Sequence, residues 1–175
     1  IAMNTHIRFN SWKSIGLWLL LICLAISING QDAEAKKISG SGKSLGPISE
    51  SNVFPGDDPQ HVITLMSTKG QDSTDDPTFG DVTVAHTELQ DKKGSSAKVL
   101  GYRVHTHANG DKSFAYFEGT AIYTTEDGSE ATFEGRRWIT GGTGKYLGIV
   151  GEGTYKGWLK LPSVTYEWEG EYEIE

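Results

Sequence analysis

Across 175 residues the chain has one cysteine, two methionines and five prolines. The cysteine, Cys23, lies in an apolar N-terminal segment, so the residues after it hold no thiol. This excludes disulfide stapling, a thiol nucleophile and cysteine-ligated zinc from the folded part. No long stretch places apolar residues at helical spacing, which excludes a helical bundle and a helix-covered sheet. His-Glu-x-x-His, a nucleotide-binding loop and an Asn-x-Ser/Thr sequon are all missing. Positive charge is also short, with 16 Lys and Arg against 23 Asp and Glu, a net charge of -7. Such a surface repels phosphate backbones and anionic lipid, so neither nucleic acid nor a membrane surface is an expected partner.

What is present begins with Arg8 and Lys13 and no acid up to Lys13, followed by an apolar run from Ile15 to Ile28. That run is shorter than the roughly twenty residues a membrane-spanning helix needs. With Ala33-Glu34-Ala35 behind it, and Gly30 as a second cleavage point, residues 1–35 read as a signal peptide and its cleavage region. A secreted or periplasmic protein with no membrane span after cleavage is the expectation. Residues 36–59 are rich in Gly, Ser, Pro and charge, without periodicity, and read as a flexible arm.

Residues 60–175 read as β throughout. The last segment is the clearest: Val164, Tyr166, Trp168, Gly170, Tyr172 and Ile174 alternate with a nearly all-acidic set ending in Glu175. Further strands are predicted over Val62–Thr68, Asp81–Leu89, Ala97–His107, Lys112–Thr125, Glu130–Thr140 and Gly151–Leu161. Gly70–Pro77 reads as a polar loop, and Tyr146–Val150 as one helical turn at most. Turns are expected at Asp91-Lys92-Lys93-Gly94, Asn109-Gly110 and Asp127-Gly128, where glycine supplies positive φ. Hairpin-linked strands fit a sandwich or an up-and-down barrel. Glycines at period two (Gly151, Gly153, Gly157) favour the antiparallel barrel of about eight strands.

Thr140-Gly141-Gly142-Thr143-Gly144-Lys145-Tyr146 has the glycine content of a phosphate loop. Ile139 stands where a Walker loop needs glycine, Tyr146 where it needs Ser or Thr, and no helix follows; Leu147 breaks a dinucleotide fingerprint. The segment therefore reads as a turn between strands. From Trp138 to Gly151 it resembles the T/V-G-G-S/T-G-x-F/Y segment of the allene oxide cyclase and dirigent barrel superfamily. Through Gly157 it is similar to small exported bacterial barrels. The resemblance implies an eight-stranded antiparallel barrel and a tendency to form homo-oligomers. Allene oxide cyclases steer a fatty-acid epoxide within the barrel, and dirigent proteins guide the coupling of phenoxy radicals. No site residue of those families aligns with this chain, and no cofactor is expected.

Candidate site residues come from the strands. Glu118 and Glu134 each sit in a Phe-Glu-Gly step. Facing inward they would serve as acid and base or orient a polar ligand; facing outward they would repeat a packing step. Arg136 and Arg137 point to opposite faces, so one of them faces inward. With Tyr116 and Trp138, the residues Glu118, Glu134 and Arg136 form the predicted ligand-binding set. His105 and His107 share a face with Arg103 and form a weak metal pair, with His86, His61 and Glu118 as third-ligand candidates. The other reading of that pair is a polar stripe lining the barrel. Three functions follow: a barrel binding a small, largely apolar molecule without covalent chemistry, a cyclase- or isomerase-like enzyme, or an interaction module displaying its acidic last strand. A barrel interior filled by side chains would leave only the third.

Overall fold

Alternation between a buried and a solvated face runs through the strands of the computed structural model, which describes residues 34–174. The segment read as an export signal lies outside the described residues except for Glu34 and Ala35, as does Glu175. The strands are β1 (Lys36–Leu45), β2 (Ser49–Val53), β3 (His61–Thr74), β4 (Val82–Lys93), β5 (Ser96–Thr106), β6 (Lys112–Tyr123), β7 (Glu130–Gly142), β8 (Ile149–Lys160) and β9 (Ser163–Ile174). In β9, Tyr166, Trp168 and Tyr172 are buried, while Glu167, Glu169 and Glu171 face solvent. Period two on a curved sheet puts the aromatic face inside.

Every pairing is antiparallel, in the order β1-β9-β8-β7-β6-β5-β4-β3, and β1 returns to β3 to close an eight-stranded barrel. The extra strand, β2, continues the line of β1 along the same edge of β3, pairing Ser49–Val53 with Ile63–Ser67. The described residues contain no α-helix, only one 3₁₀ turn at Gly144–Tyr146. The turn glycines Gly94, Gly110 and Gly128 all take positive φ, as expected from the hairpin signals.

Two expectations are corrected. Residues 36–59 are not a free arm, because β1 and β2 lie within them and β1 supplies the closing seam. The polar loop expected over 70–77 begins later, since β3 runs to Thr74. Both corrections share a cause. The inward positions of β1 are Ile38, Gly40, Gly42 and Ser44, which carry almost no apolar signal. Those small residues make room for large neighbours. A Cβ on Gly40 would lie 2.5 Å from Trp168 Cζ2, and one on Gly42 would collide with Tyr166 and Asp72. Bulk from β9 and β3 thus fills the space that β1 leaves.

The turn after β7 closes one end of the barrel. Tyr146 is 0% exposed and packs with Phe79 at 5.3 Å and His107 at 3.8 Å between ring centroids. Its hydroxyl donates to the Thr78 carbonyl at 2.8 Å. The Lys145 amide donates to Asp111 Oδ2 at 3.1 Å and its ammonium to the Thr78 carbonyl at 2.9 Å. The turn's donors are spent on the barrel's own loops, which agrees with the reading of this segment as structural.

Candidate functional site

Inside the barrel three layers follow one another along the axis. At the closed end Phe79, His107, Tyr146 and Tyr172 form an aromatic plug. His107 Nε2 meets Ser113 Oγ at 3.0 Å, and burial holds its imidazole below the usual histidine range. Tyr172 donates to Asp76 Oδ2 at 2.6 Å, and burial together with that carboxylate pushes its hydroxyl up to about 12.

The middle layer is a buried charge cluster. Asp72 on β3, 1% exposed, accepts a hydrogen bond from the Tyr166 hydroxyl on β9. Its Oδ2 lies 3.9 Å from Arg103 Nη1 and 3.9 Å from His105 Nε2, both on β5. Arg137, on β7, stacks its guanidinium 4.2 Å above Trp168, and Arg103 stands 4.4 Å above Tyr166. Burial and the two arginines drive His105 well below its ordinary pKa, so it is neutral. Burial and the charge of Arg103 bring Arg137 down to about 10, still cationic at neutral pH. Burial would lower Arg103, but Tyr166, Asp72 and Glu88 outweigh it and hold the group above its usual value. Asp72 Oδ2, Arg103 Nε, His105 Nε2, Arg137 Nη1 and Trp168 Nε1 are all buried without a hydrogen-bond partner. Buried groups of this kind are the ones that ordered water commonly satisfies.

Beyond this layer the barrel opens into a cavity of about 490 Å3. Its walls are Phe117, Phe133, Tyr155, Val99, Ala121 and Ala131, its floor is Arg103 and Tyr166, and β4 supplies a polar row. Along that row Tyr123 donates to Gln90 Oε1 at 2.6 Å, and Gln90 Nε2 donates to Glu88 Oε1 at 2.5 Å. Glu88 Oε2 then faces His86 Nε2 at 2.8 Å. The last approach is off the angle of a well-formed hydrogen bond, so it is a close polar pair. Burial and the charge of Arg103 keep His86 below the usual histidine range against the pull of Glu88. Burial alone would raise Glu88, but His86, Gln90 and Arg103 together hold it below its ordinary value.

The predicted ligand-binding set lies elsewhere. Glu118, Glu134, Arg136, Tyr116 and Trp138 all stand on the outer face, because Ala115, Phe117 and Arg137 take the inward positions of β6 and β7. There Tyr116 stacks on Trp138 at 5.6 Å, and Arg136 pairs with Glu152 at 3.2 Å. Glu118, Glu134 and Arg136 do border the broadest depression, about 1290 Å3, but this is a shallow belt round the outside among charged side chains. The interior cavity is the better site, since enclosure by aromatic walls is what gives a small molecule its burial. Replacing Glu118, Glu134 and Arg136 together by Gln, Gln and Ala is expected to change unfolding free energy by no more than about 0.5 kcal/mol. Urea denaturation monitored by tryptophan fluorescence measures this, and a larger loss would show the outer array to be structural.

Of the histidines, His105 and His107 point inward as the polar stripe, one in the charge layer and one in the plug. His61 lies at the rim between Asp57 and Asp91, the latter at 2.9 Å. Among the described residues no group of three His, Cys, Asp or Glu side chains is placed to share a metal ion. The sequence alone does not single out His86 and Glu88 as a pair. A signal existed: along β4 one face runs Val82, Val84, His86, Glu88, Gln90 and Lys92, turning from apolar to polar towards the rim.

No protein-family model matches the chain. No curated protein matches it either.

Proposed function

We propose that the barrel holds one small, largely apolar molecule in its cavity without covalent chemistry, as an exported protein of the allene oxide cyclase and dirigent-like type. The observation that carries this reading is a cavity of about 490 Å3, within the range of ligand pockets, walled by aromatic rings and floored by Arg103 and Tyr166. Packing alone gives no reason to leave such a volume beside a buried guanidinium, since interiors close to crystal density. Native mass spectrometry of protein taken from the cells or medium that produce it is the test. The expected spectrum shows an adduct of one small molecule that is lost on unfolding; a bare polypeptide mass throughout would sink the reading.

A second reading, a cyclase- or isomerase-like enzyme, is favoured by the His86–Glu88 pair beside Arg103 in the same cavity. The third, an interaction module displaying the acidic face of β9, gains nothing from the interior, which is not filled.

A further inference from the structure

We infer that the cavity takes a neutral carbonyl compound with a flat apolar body, and that His86 and Arg103 move a proton at the carbon next to its carbonyl. The inference rests on the cavity being a ligand site and develops the second, isomerase-like reading of it in place of binding without covalent chemistry. His86 and Arg103 are directly opposed across the β4–β5 ladder, both face inward and both line the cavity. They also share a wall: the His86 ring meets Phe117 edge-on at 4.9 Å, and the Arg103 guanidinium stands 5.3 Å from the same ring. A ligand packed beside Phe117 therefore has a base and a cation within reach, side by side on neighbouring strands.

The charges select the ligand class. Deep in the barrel Arg103 and Arg137 are matched by Asp72 and Glu88, while Lys92 and the exposed Glu50 and Asp127 line the cavity towards its mouth. A charged ligand would bring an unmatched charge into a low-dielectric interior, whereas a neutral carbonyl oxygen accepts from Arg103 without that cost. Glu88 faces Nε2 of His86 and favours the tautomer with its proton there, which leaves the Nδ1 lone pair for the ligand. Because burial and Arg103 keep this imidazole from protonating at neutral pH, it is available as a base.

The step balances without a cofactor. The C–H bond next to the carbonyl breaks and its proton passes to His86 Nδ1. The bonding pair forms a carbon–carbon double bond while the carbonyl pair moves onto oxygen, where Arg103 stabilises the enolate. The imidazolium then returns the proton to the same carbon or, in an unsaturated ketone, to the far end of the conjugated system, which isomerises it.

β-Tetralone is a suitable probe, being flat, apolar and neutral with an acidic benzylic C–H. Saturation-transfer NMR reads its binding, and deuterium uptake in heavy water reads proton transfer. The wild-type protein is expected to bind it and to accelerate exchange about 10²-fold over buffer, the scale of a positioned base. His86→Gln should still bind but fall to the buffer rate; His86→Asn serves if the glutamine variant does not fold. Arg103→Met should lose acceleration and weaken binding. Binding without acceleration, or full acceleration in a folded His86 variant, would overturn the proton transfer and leave the binding reading standing. A protein that carries a native ligand yet binds no β-tetralone, or whose ligand proves to be anionic, would overturn the carbonyl assignment alone.

Discussion

Replacing Asp72 with alanine is expected to cost about 3–5 kcal/mol of stability, the scale of breaking a buried ion pair by removing one partner. Asp72 is 1% exposed and is the acceptor for the Tyr166 hydroxyl. It is also the carboxylate nearest to Arg103 and His105, at 3.9 Å from each. Without it, buried Arg103 keeps only Glu88 as a buried carboxylate partner, and Arg137 loses the attraction of Asp72. The loss comes mainly from the stranded guanidinium groups, because the pair distances are too long for strong bonds of their own. Asp72→Asn keeps an acceptor for Tyr166 but no charge, and should fall between alanine and wild type. Chemical denaturation reads both variants, and a loss below about 1 kcal/mol for alanine would mean that the charge layer is not coupled in this way.

The second large effect is predicted at the seam. Gly40→Val puts a branched side chain 2.5 Å from the Ser73 carbonyl oxygen, a backbone atom on β3, and against Trp168 on β9. Backbone cannot swing aside as a flexible side chain can, so either β1 lifts from β3 or Trp168 leaves the core. The β1–β3 pairing covers only the register from Gly40–Thr74 to Ser44–Gly70, so it has little to spare. A cost of about 3 kcal/mol or more follows from overpacking at such a site. Hydrogen exchange should place the damage in β1 and β3 first, with β6 and β7 protected longer; uniform loss of protection would show instead that the barrel unfolds as one unit.

How much could be read from the chain beforehand depended on what each inner face holds. β9 was legible because Tyr166, Trp168 and Tyr172 alternate with glutamates, and both hairpin chemistry and period two pointed the same way. β1 was not, since Gly40, Gly42 and Ser44 are inward for the sake of their neighbours' volume, a relation no local pattern carries. Asp72 stayed hidden for the same reason: within a polar stretch, nothing marks an acid that will be buried between two strands distant in sequence. On β6 and β7 the strands were found but the faces were not assigned. The Phe-Glu-Gly steps drew notice to Glu118 and Glu134, whereas Phe117 and Phe133 are the residues lining the cavity. Parity should have settled this, because the inward set on β6 is Ser113, Ala115, Phe117 and Ala121. His86 and Glu88 are legible as inward residues once β4 is a strand, but their neighbour Arg103 comes from β5, which no local pattern reveals.

The decisive question is whether the space inside the barrel, rather than its outer face, receives the ligand. Ala121 lines the cavity and is 4% exposed, so Ala121→Trp drives an indole into the cavity and obstructs it while leaving the outer face untouched. Native mass spectrometry of this variant, produced in the same source as the wild type, is the direct measurement. The predicted result is a folded protein at its bare polypeptide mass, beside a wild type and a Glu118, Glu134 and Arg136 triple variant that both retain the adduct. An adduct that survives Ala121→Trp and disappears from the triple variant would contradict the interior site.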